Sequence, residues 1–288
     1  MKAHQKTDLE LASATPAGLD VGWGVSDSGV STAIGGGGGI SLIIPAYNEE
    51  ARIERALEAY LPVLERSQEQ FEVIVVVDGT DRTEEIVRTY ASRSVVCIRS
   101  ARKLGKGGAI VQGFKRANYQ RVGYVDADGS LNPGDLSRLI TAVDHYDCAV
   151  ASRWSRDSRW IRKEPAFKRL ASRGFNLLVR AVLGLKLNDT QCGAKFYSSD
   201  ILNQVLRRVT VTNLAVDVGF MYHVQSLGGK ITEIPVMWDD QPGSRFRMSR
   251  MIVYMFATVI GIRVMNLGLS RHIPESLIRS FHLKFGSV

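Results

Sequence analysis

From residue 40 onward, short apolar runs alternate with amphipathic stretches. "ISLIIPAY" (40–47), "FEVIVVVD" (71–78), "SVVCIR" (94–99), "RVGYVDAD" (121–128) and "DCAVAS" (147–152) are brief, apolar and rich in β-branched residues. That pattern predicts strands buried on both faces. The segments between them repeat at helical spacing. "EEARIERALEAYLPVLERS" (49–67) is a helix that Pro62 kinks or ends. "DRTEEIVRTYAS" (81–92) carries acids in its first turn, and "GKGGAIVQGFKRA" (105–117) follows the third strand. "NPGDLSRLITAVD" (132–144) opens with Asn132 as N-cap and Pro133 at the first position. Strands alternating with helices predict an α/β protein with a mostly parallel, doubly wound sheet. Ligands of such sheets collect at the carboxyl ends of the strands. Tyr47, Asp78, Arg99 and Asp126 fall at those ends and are expected to line one crevice.

The second half changes rhythm. In "PAFKRLASRGFNLLVRAVL" (165–183), Phe167, Leu170, Phe175, Leu178 and Val182 recur at helical spacing while Lys168, Arg169, Arg173 and Arg180 fall largely elsewhere. This is a basic amphipathic helix. A short motif, "NDTQCGAKFYSSD" (188–200), follows. After it come a helix at 218–227, a strand "GKITEIPVMW" (229–238) and a Met-rich helix from about 249. Residues 1–39, rich in Gly, Ser, Ala and Thr, read as a flexible extension. The domain organisation expected is therefore 1–39 extension, 40–248 catalytic domain, and 249–288 amphipathic helices for a membrane or dimer contact.

Charge narrows the partners. Lys and Arg number 37 against 29 Asp and Glu, a net charge of +8, which favours anionic partners. The excess concentrates in residues 153–186, which carry ten basic residues against Asp157 and Glu164. The interleaving of aromatic and basic residues that marks RNA platforms is missing, so no nucleic-acid partner is expected. Three unpaired-looking cysteines and five scattered histidines give neither a disulfide framework nor a zinc spacing. The N-terminus lacks a signal-peptide pattern. "MIVYMFATVIGI" (251–262) has 12 uncharged residues, short of the roughly 20 that span a bilayer. A cytoplasmic protein, peripheral on the membrane, is the expectation.

Candidate chemistry sits at the strand ends. Asp126 and Asp128 form an Asp-x-Asp whose hard oxygens suit Mg²⁺ or Mn²⁺; alone, such a tripeptide is also a common solvated turn. "IIPAYNEE" (43–50) is either a nucleotide wall or a proline turn with helix-start acids. Asp78 either accepts bonds from a base or ribose, or caps a helix. "RSARKLGKGGA" (99–109) brings cations and glycine backbone to a helix N-terminus, a natural anion site. It is not a P-loop, because no Ser or Thr follows Lys106.

Together, in this order, these motifs resemble the family 2 glycosyltransferases of the GT-A fold, over residues 40–245. "NDTQCGAKFY", "AVDVGFMY" (215–222) and "IPVMWDDQPGSRFR" (234–247) are similar to motifs of dolichyl- and polyprenyl-phosphate glucose and mannose synthases. Two positions depart. Val77 stands where the family usually has a first aspartate, and Gly219 stands where it has Glu.

The resemblance implies inverting transfer of a hexose, glucose first and mannose next, from UDP-glucose or GDP-mannose to a polyprenyl phosphate. It implies that Pro45, Tyr47, Glu49 and Asp78 hold base and ribose, that Asp126 and Asp128 hold the metal, and that Arg102 and Lys106 offset diphosphate charge. Arg153 and Arg245 are expected at the acceptor phosphate, and Asp189, Gln191 and Asp217 around the sugar. A homodimer is compatible. The rivals are a soluble transferase acting on a small or saccharide acceptor with a carboxylate base such as Asp217, and a non-catalytic module binding nucleotide or nucleic acid.

Overall fold

The computed structural model describes residues 34, 37–162, 165–209, 215–241 and 248–266. Its elements in chain order are β1 (Gly37–Ala46), α1 (Ile53–Arg66), β2 (Phe71–Val77), α2 (Thr83–Arg88), β3 (Val95–Arg99) and α3 (Gly105–Phe114). Then come β4 (Tyr119–Val125), α4 (Pro133–Ala142), β5 (Cys148–Ser152), β6 (Arg159–Arg162), α5 (Ala166–Leu183) and β7 (Ala194–Ser198). The chain continues with α6 (Ser199–Leu206), α7 (Val216–Ser226), β8 (Ile231–Pro235), β9 (Met237–Asp239) and α8 (Met248–Asn266).

Seven strands form one sheet in the order β3-β2-β1-β4-β7-β5-β8. All neighbours are parallel except β7, which runs antiparallel to β4 and β5. Successive strand residues point to opposite faces, and both faces are buried, hence the near-continuous apolar runs. Leu42, Ile44, Val73, Val75 and Val77 pack in the layer with α1 and α4. Ile43, Ile74, Val76, Val122 and Tyr124 pack in the layer with α3 and α5 to α8. Asn132 caps α4 as expected, its Oδ1 accepting from the Gly134 N–H at 2.9 Å.

Several boundaries differ from the sequence reading. Pro62 does not end α1, which continues to Arg66, because buried Leu61, Val63 and Leu64 anchor the last turns against the sheet. β1 begins at Gly37, inside the expected extension, and Ile34 is buried with its N–H donating to Asn203 Oδ1 at 2.9 Å. "GKITEIPVMW" divides into β8 and β9, and β9 pairs with β6 in a small second sheet.

α5 carries two apolar stripes rather than one. Phe175, Val179 and Leu183 are buried, whereas Phe167, Leu170 and Leu177 are 64%, 75% and 69% exposed. α8 buries Met255, Val259 and Ile262 in the core layer and turns Phe256 and Ile260 outward. No helix among the described residues is long and apolar enough to cross a membrane.

Candidate active site

Because β1, β2, β4 and β5 are parallel, their carboxyl ends meet at one edge, and antiparallel β7 brings its N-terminal end there too. Pro45 lies in β1, beyond its last pairing with β4 at Ile43–Tyr124. Two loops at this edge are stitched together. Asn48 Oδ1 accepts from the Thr80 N–H at 2.8 Å, and the Glu49 N–H donates to Thr83 Oγ1 at 2.9 Å. The Glu50 N–H donates to Asp81 Oδ2 at 3.1 Å. Arg52 grips the Glu49 carboxylate with two bonds of 2.7 Å. Burial raises the Glu49 pKa despite Arg52, and Asp128 and Asp126 push it further up, so these three acids share one neighbourhood. Tyr47 is 46% exposed, with Lys103 Nζ 4.8 Å from its ring centroid.

Asp78 does cap a helix, though not the one that follows it. Its Oδ2 accepts from the N–H groups of Leu104 and Gly105 at 2.8 and 2.9 Å, pinning the start of α3. That places Lys106, in the first turn of α3, with Nζ 2.7 Å from Asp126 Oδ1. The Asp126 N–H donates to the Gly193 carbonyl at 2.9 Å. A Cβ on Gly193 would stand 1.9 Å from Asp126 Oδ2, so only glycine permits this approach. Asp128 Oδ1 accepts from the Ser130 N–H at 3.0 Å. Gly129, at φ +68, turns the chain there in the left-handed region against α1.

The remaining candidates spread out. Arg153 is 9% exposed, and its Nε and Nη2 donate to Asp189 at 2.7 and 3.1 Å. Asp189 is fully buried, so it serves as counter-ion to Arg153 rather than lining an open sugar pocket. Burial raises the Asp189 pKa, but the charge and hydrogen bonds of Arg153 outweigh it and hold the carboxyl below its usual range. Asp217, 4% exposed, lies in the interior, accepting from the Tyr124 hydroxyl, with Lys195 Nζ 3.7 Å away. Gln191 donates through Nε2 to Met255 Sδ at 3.7 Å, tying the motif to α8. Arg102 is exposed in the loop before α3. Arg245 lies outside the described residues.

The departures also find physical reasons. Val77 is fully buried in the core layer under α1. At Gly219, on α7, an added Cβ would meet Ile262 Cδ1 of α8 at 3.8 Å, so α8 lies over the direction a longer side chain would take.

Sequence reasoning missed Lys195, fully buried, with Nζ donating to Tyr124 Oη at 3.0 Å and the Cys192 carbonyl at 2.7 Å. A lysine inside the apolar "AKFY" was the available signal.

The model of the family "Glycosyl transferase family 2" matches residues 41–206. The chain belongs to that family. "Glycosyltransferase AglD" of Haloferax volcanii is 30% identical over 261 residues, covering 88% of this chain and 38% of that protein. The "Dolichyl-phosphate beta-glucosyltransferase" of Homo sapiens is 30% identical over 223 residues, 72% of this chain and 69% of its own. The chain thus spans little more than a third of the archaeal relative's length, at 38%. Among solved structures, glucosyl-3-phosphoglycerate synthase from Mycobacterium tuberculosis in complex with UDP superposes with TM-score 0.58 at 20% identity, over 81% of both chains. The same enzyme with Mn²⁺, UDP and phosphoglyceric acid gives 0.57 at 19% identity, over 80% of this chain and 78% of that one. These likenesses establish the GT-A fold of this family 2 glycosyltransferase.

Proposed function

We propose that this family 2 glycosyltransferase moves a hexose from a nucleotide sugar to a polyprenyl phosphate at the membrane surface, with inversion. Glucose is favoured over mannose, since the human relative is by its name a dolichyl-phosphate glucosyltransferase. The observation that carries the reading is the convergence of two motifs. Asp126, from the Asp-x-Asp at the end of β4, is bonded to Gly193 of the "DTQCG" segment at 2.9 Å. One motif belongs to donor chemistry and the other resembles the lipid-phosphate synthases.

Asp126 and Asp128 offer the hard carboxylate oxygens that Mg²⁺ or Mn²⁺ takes, and UDP with Mn²⁺ is present in a structural neighbour. When bound, the ion supplies Lewis-acid stabilisation of the departing nucleoside diphosphate. The chain does the rest. Tyr47 offers an exposed ring for the base, while Asp78, Glu49 and the stitched loops keep that wall rigid. Arg102 and Lys106 add positive charge where the diphosphate lies. A phosphate monoester has a second pKa near 6, so the acceptor is already an anionic nucleophile at neutral pH and needs no base from Asp217. Arg153, tied to Asp189, holds the end of β5 against the "DTQ" turn and acts on the acceptor side by positioning. Arg245 remains the candidate cation at the acceptor phosphate.

The exposed stripe of Phe167, Leu170 and Leu177, beside Lys168, Arg169 and Arg173, suits insertion into an anionic bilayer surface on the cytoplasmic side. A homodimer on the same face is the competing use of that stripe.

The test incubates the purified protein with Mn²⁺, a short-chain polyprenyl phosphate, and UDP-glucose or GDP-mannose in turn. A metal-dependent glycolipid from one donor supports the reading. Donor hydrolysis without any glycolipid would discard the lipid-phosphate acceptor and favour a soluble acceptor.

A further inference from the structure

The pair formed by Lys106 and Asp126 is set in an acidic surround. Burial raises the Asp126 pKa; Lys106 opposes this, and Asp128 and Asp217 add to it. Burial works against the Lys106 charge, yet Asp126, Asp217 and Asp128 together hold its pKa above the usual lysine range. The geometry decides which carboxylate oxygen can serve a ligand. Oδ2 of Asp126 is backed against Gly193, where not even a methyl group fits. Oδ1 carries Lys106 Nζ at 2.7 Å. The root of Lys106 is fixed, because the neighbouring Gly105 N–H is bonded to Asp78 at 2.9 Å. The pair is 20% and 30% exposed, and a lysine's flexible four-carbon stem lets its ammonium move while the root is held.

We propose that Lys106 is an exchangeable counter-ion, holding Asp126 Oδ1 until a nucleotide diphosphate draws it away and releases that oxygen to the divalent ion. This rests on the metal-and-diphosphate reading given above. A cation at Oδ1 and the ammonium of Lys106 repel each other, so they use the oxygen in turn. Metal alone must then displace Lys106 and binds weakly. A diphosphate offers Lys106 a new anionic partner, so nucleotide and metal each strengthen the other's binding by the same factor. The exchange orders the site, with the ion held tightly only once the donor is there for it to act on.

The experiment titrates Mn²⁺ into wild type, Lys106→Gln and Lys106→Arg, reading free Mn²⁺ by electron paramagnetic resonance, without nucleotide and then with saturating UDP or GDP. Melting temperatures confirm that each variant is folded. Lys106→Gln is expected to bind Mn²⁺ alone at least about tenfold tighter than wild type. The enhancement of Mn²⁺ affinity by nucleotide should shrink by a similar factor, and Lys106→Arg should stay near wild type in both. An unchanged or weaker Mn²⁺ affinity in folded Lys106→Gln, with nucleotide coupling intact, overturns the exchange while leaving the metal reading standing. Failure of wild type to bind Mn²⁺ even with both nucleotides overturns the metal reading and the exchange together.

Discussion

Replacing Gly193 by alanine tests the geometry of the site most directly. The added Cβ would lie 1.9 Å from Asp126 Oδ2 and 2.4 Å from its Cγ, both well inside the 3.0 Å floor that real Cβ contacts respect. Neither backbone can retreat cheaply. The Asp126 N–H is bonded to the Gly193 carbonyl at 2.9 Å, and the next residues, Val125 and Ala194, are paired in the sheet. The carboxylate must therefore shift by about an ångström, disturbing the 2.7 Å contact of Oδ1 with Lys106 and the place it offers a metal. Misplacement of that size costs about 100-fold in rate. The overpacking costs about 1–3 kcal/mol of stability, leaving most of the protein folded. Gly174→Ala on exposed α5 is the control. Nothing lies within 4 Å of its added Cβ, so it should leave the rate unchanged and gain up to about 1 kcal/mol in helix propensity. The assay is the initial rate of glycolipid formation beside urea denaturation of each variant. Folded Gly193→Ala with a rate within about threefold of wild type would refute the claim that glycine here sets the position of Asp126.

Other outcomes follow from the buried charges and the exposed stripe. Asp189→Ala removes the carboxylate paired with the buried guanidinium of Arg153 and should cost about 3–5 kcal/mol in urea denaturation, with Asp189→Asn intermediate. Burial, with a smaller push from Arg208, lowers the His223 pKa from 6.5 to about 4. A lowered folded pKa means that the unfolded state binds the proton first. Stability is therefore full above about 6.5 and falls as pH drops toward about 4; His223→Gln should flatten that part of the profile. Serine at Phe167, Leu170 and Leu177 together should weaken flotation with anionic vesicles at least about tenfold without lowering the melting temperature. Equal flotation of variant and wild type would remove this stripe from the membrane reading.

Much of the candidate site was legible because its residues lie within a few positions of strand ends. Asp126, Asp78 and Tyr47 follow apolar runs directly, and parallel strands must present such ends at one edge. The role of Asp78 was harder. Helix capping was foreseen, but its partners are Leu104 and Gly105, 26 and 27 residues away, which no local pattern reveals. Arg153 and Asp189 were read as open to ligands, since local sequence gives a charge but not its partner across 36 residues.

The sequence by itself determined the alternating α/β architecture, the edge at which the candidate residues gather and the family of the chain. Periodicity, capping residues and compact motifs are local, and local patterns survive without tertiary contacts. Only the tertiary structure decided that β7 inserts antiparallel between β4 and β5. That insertion sets Gly193 against Asp126 and buries Lys195 beside Tyr124 and Asp217. It also decided which stripe of α5 is core and which faces outward. Strand order and helix rotation are settled by which surfaces pack best across long sequence separations, and a one-dimensional pattern does not encode the neighbour that each face will meet.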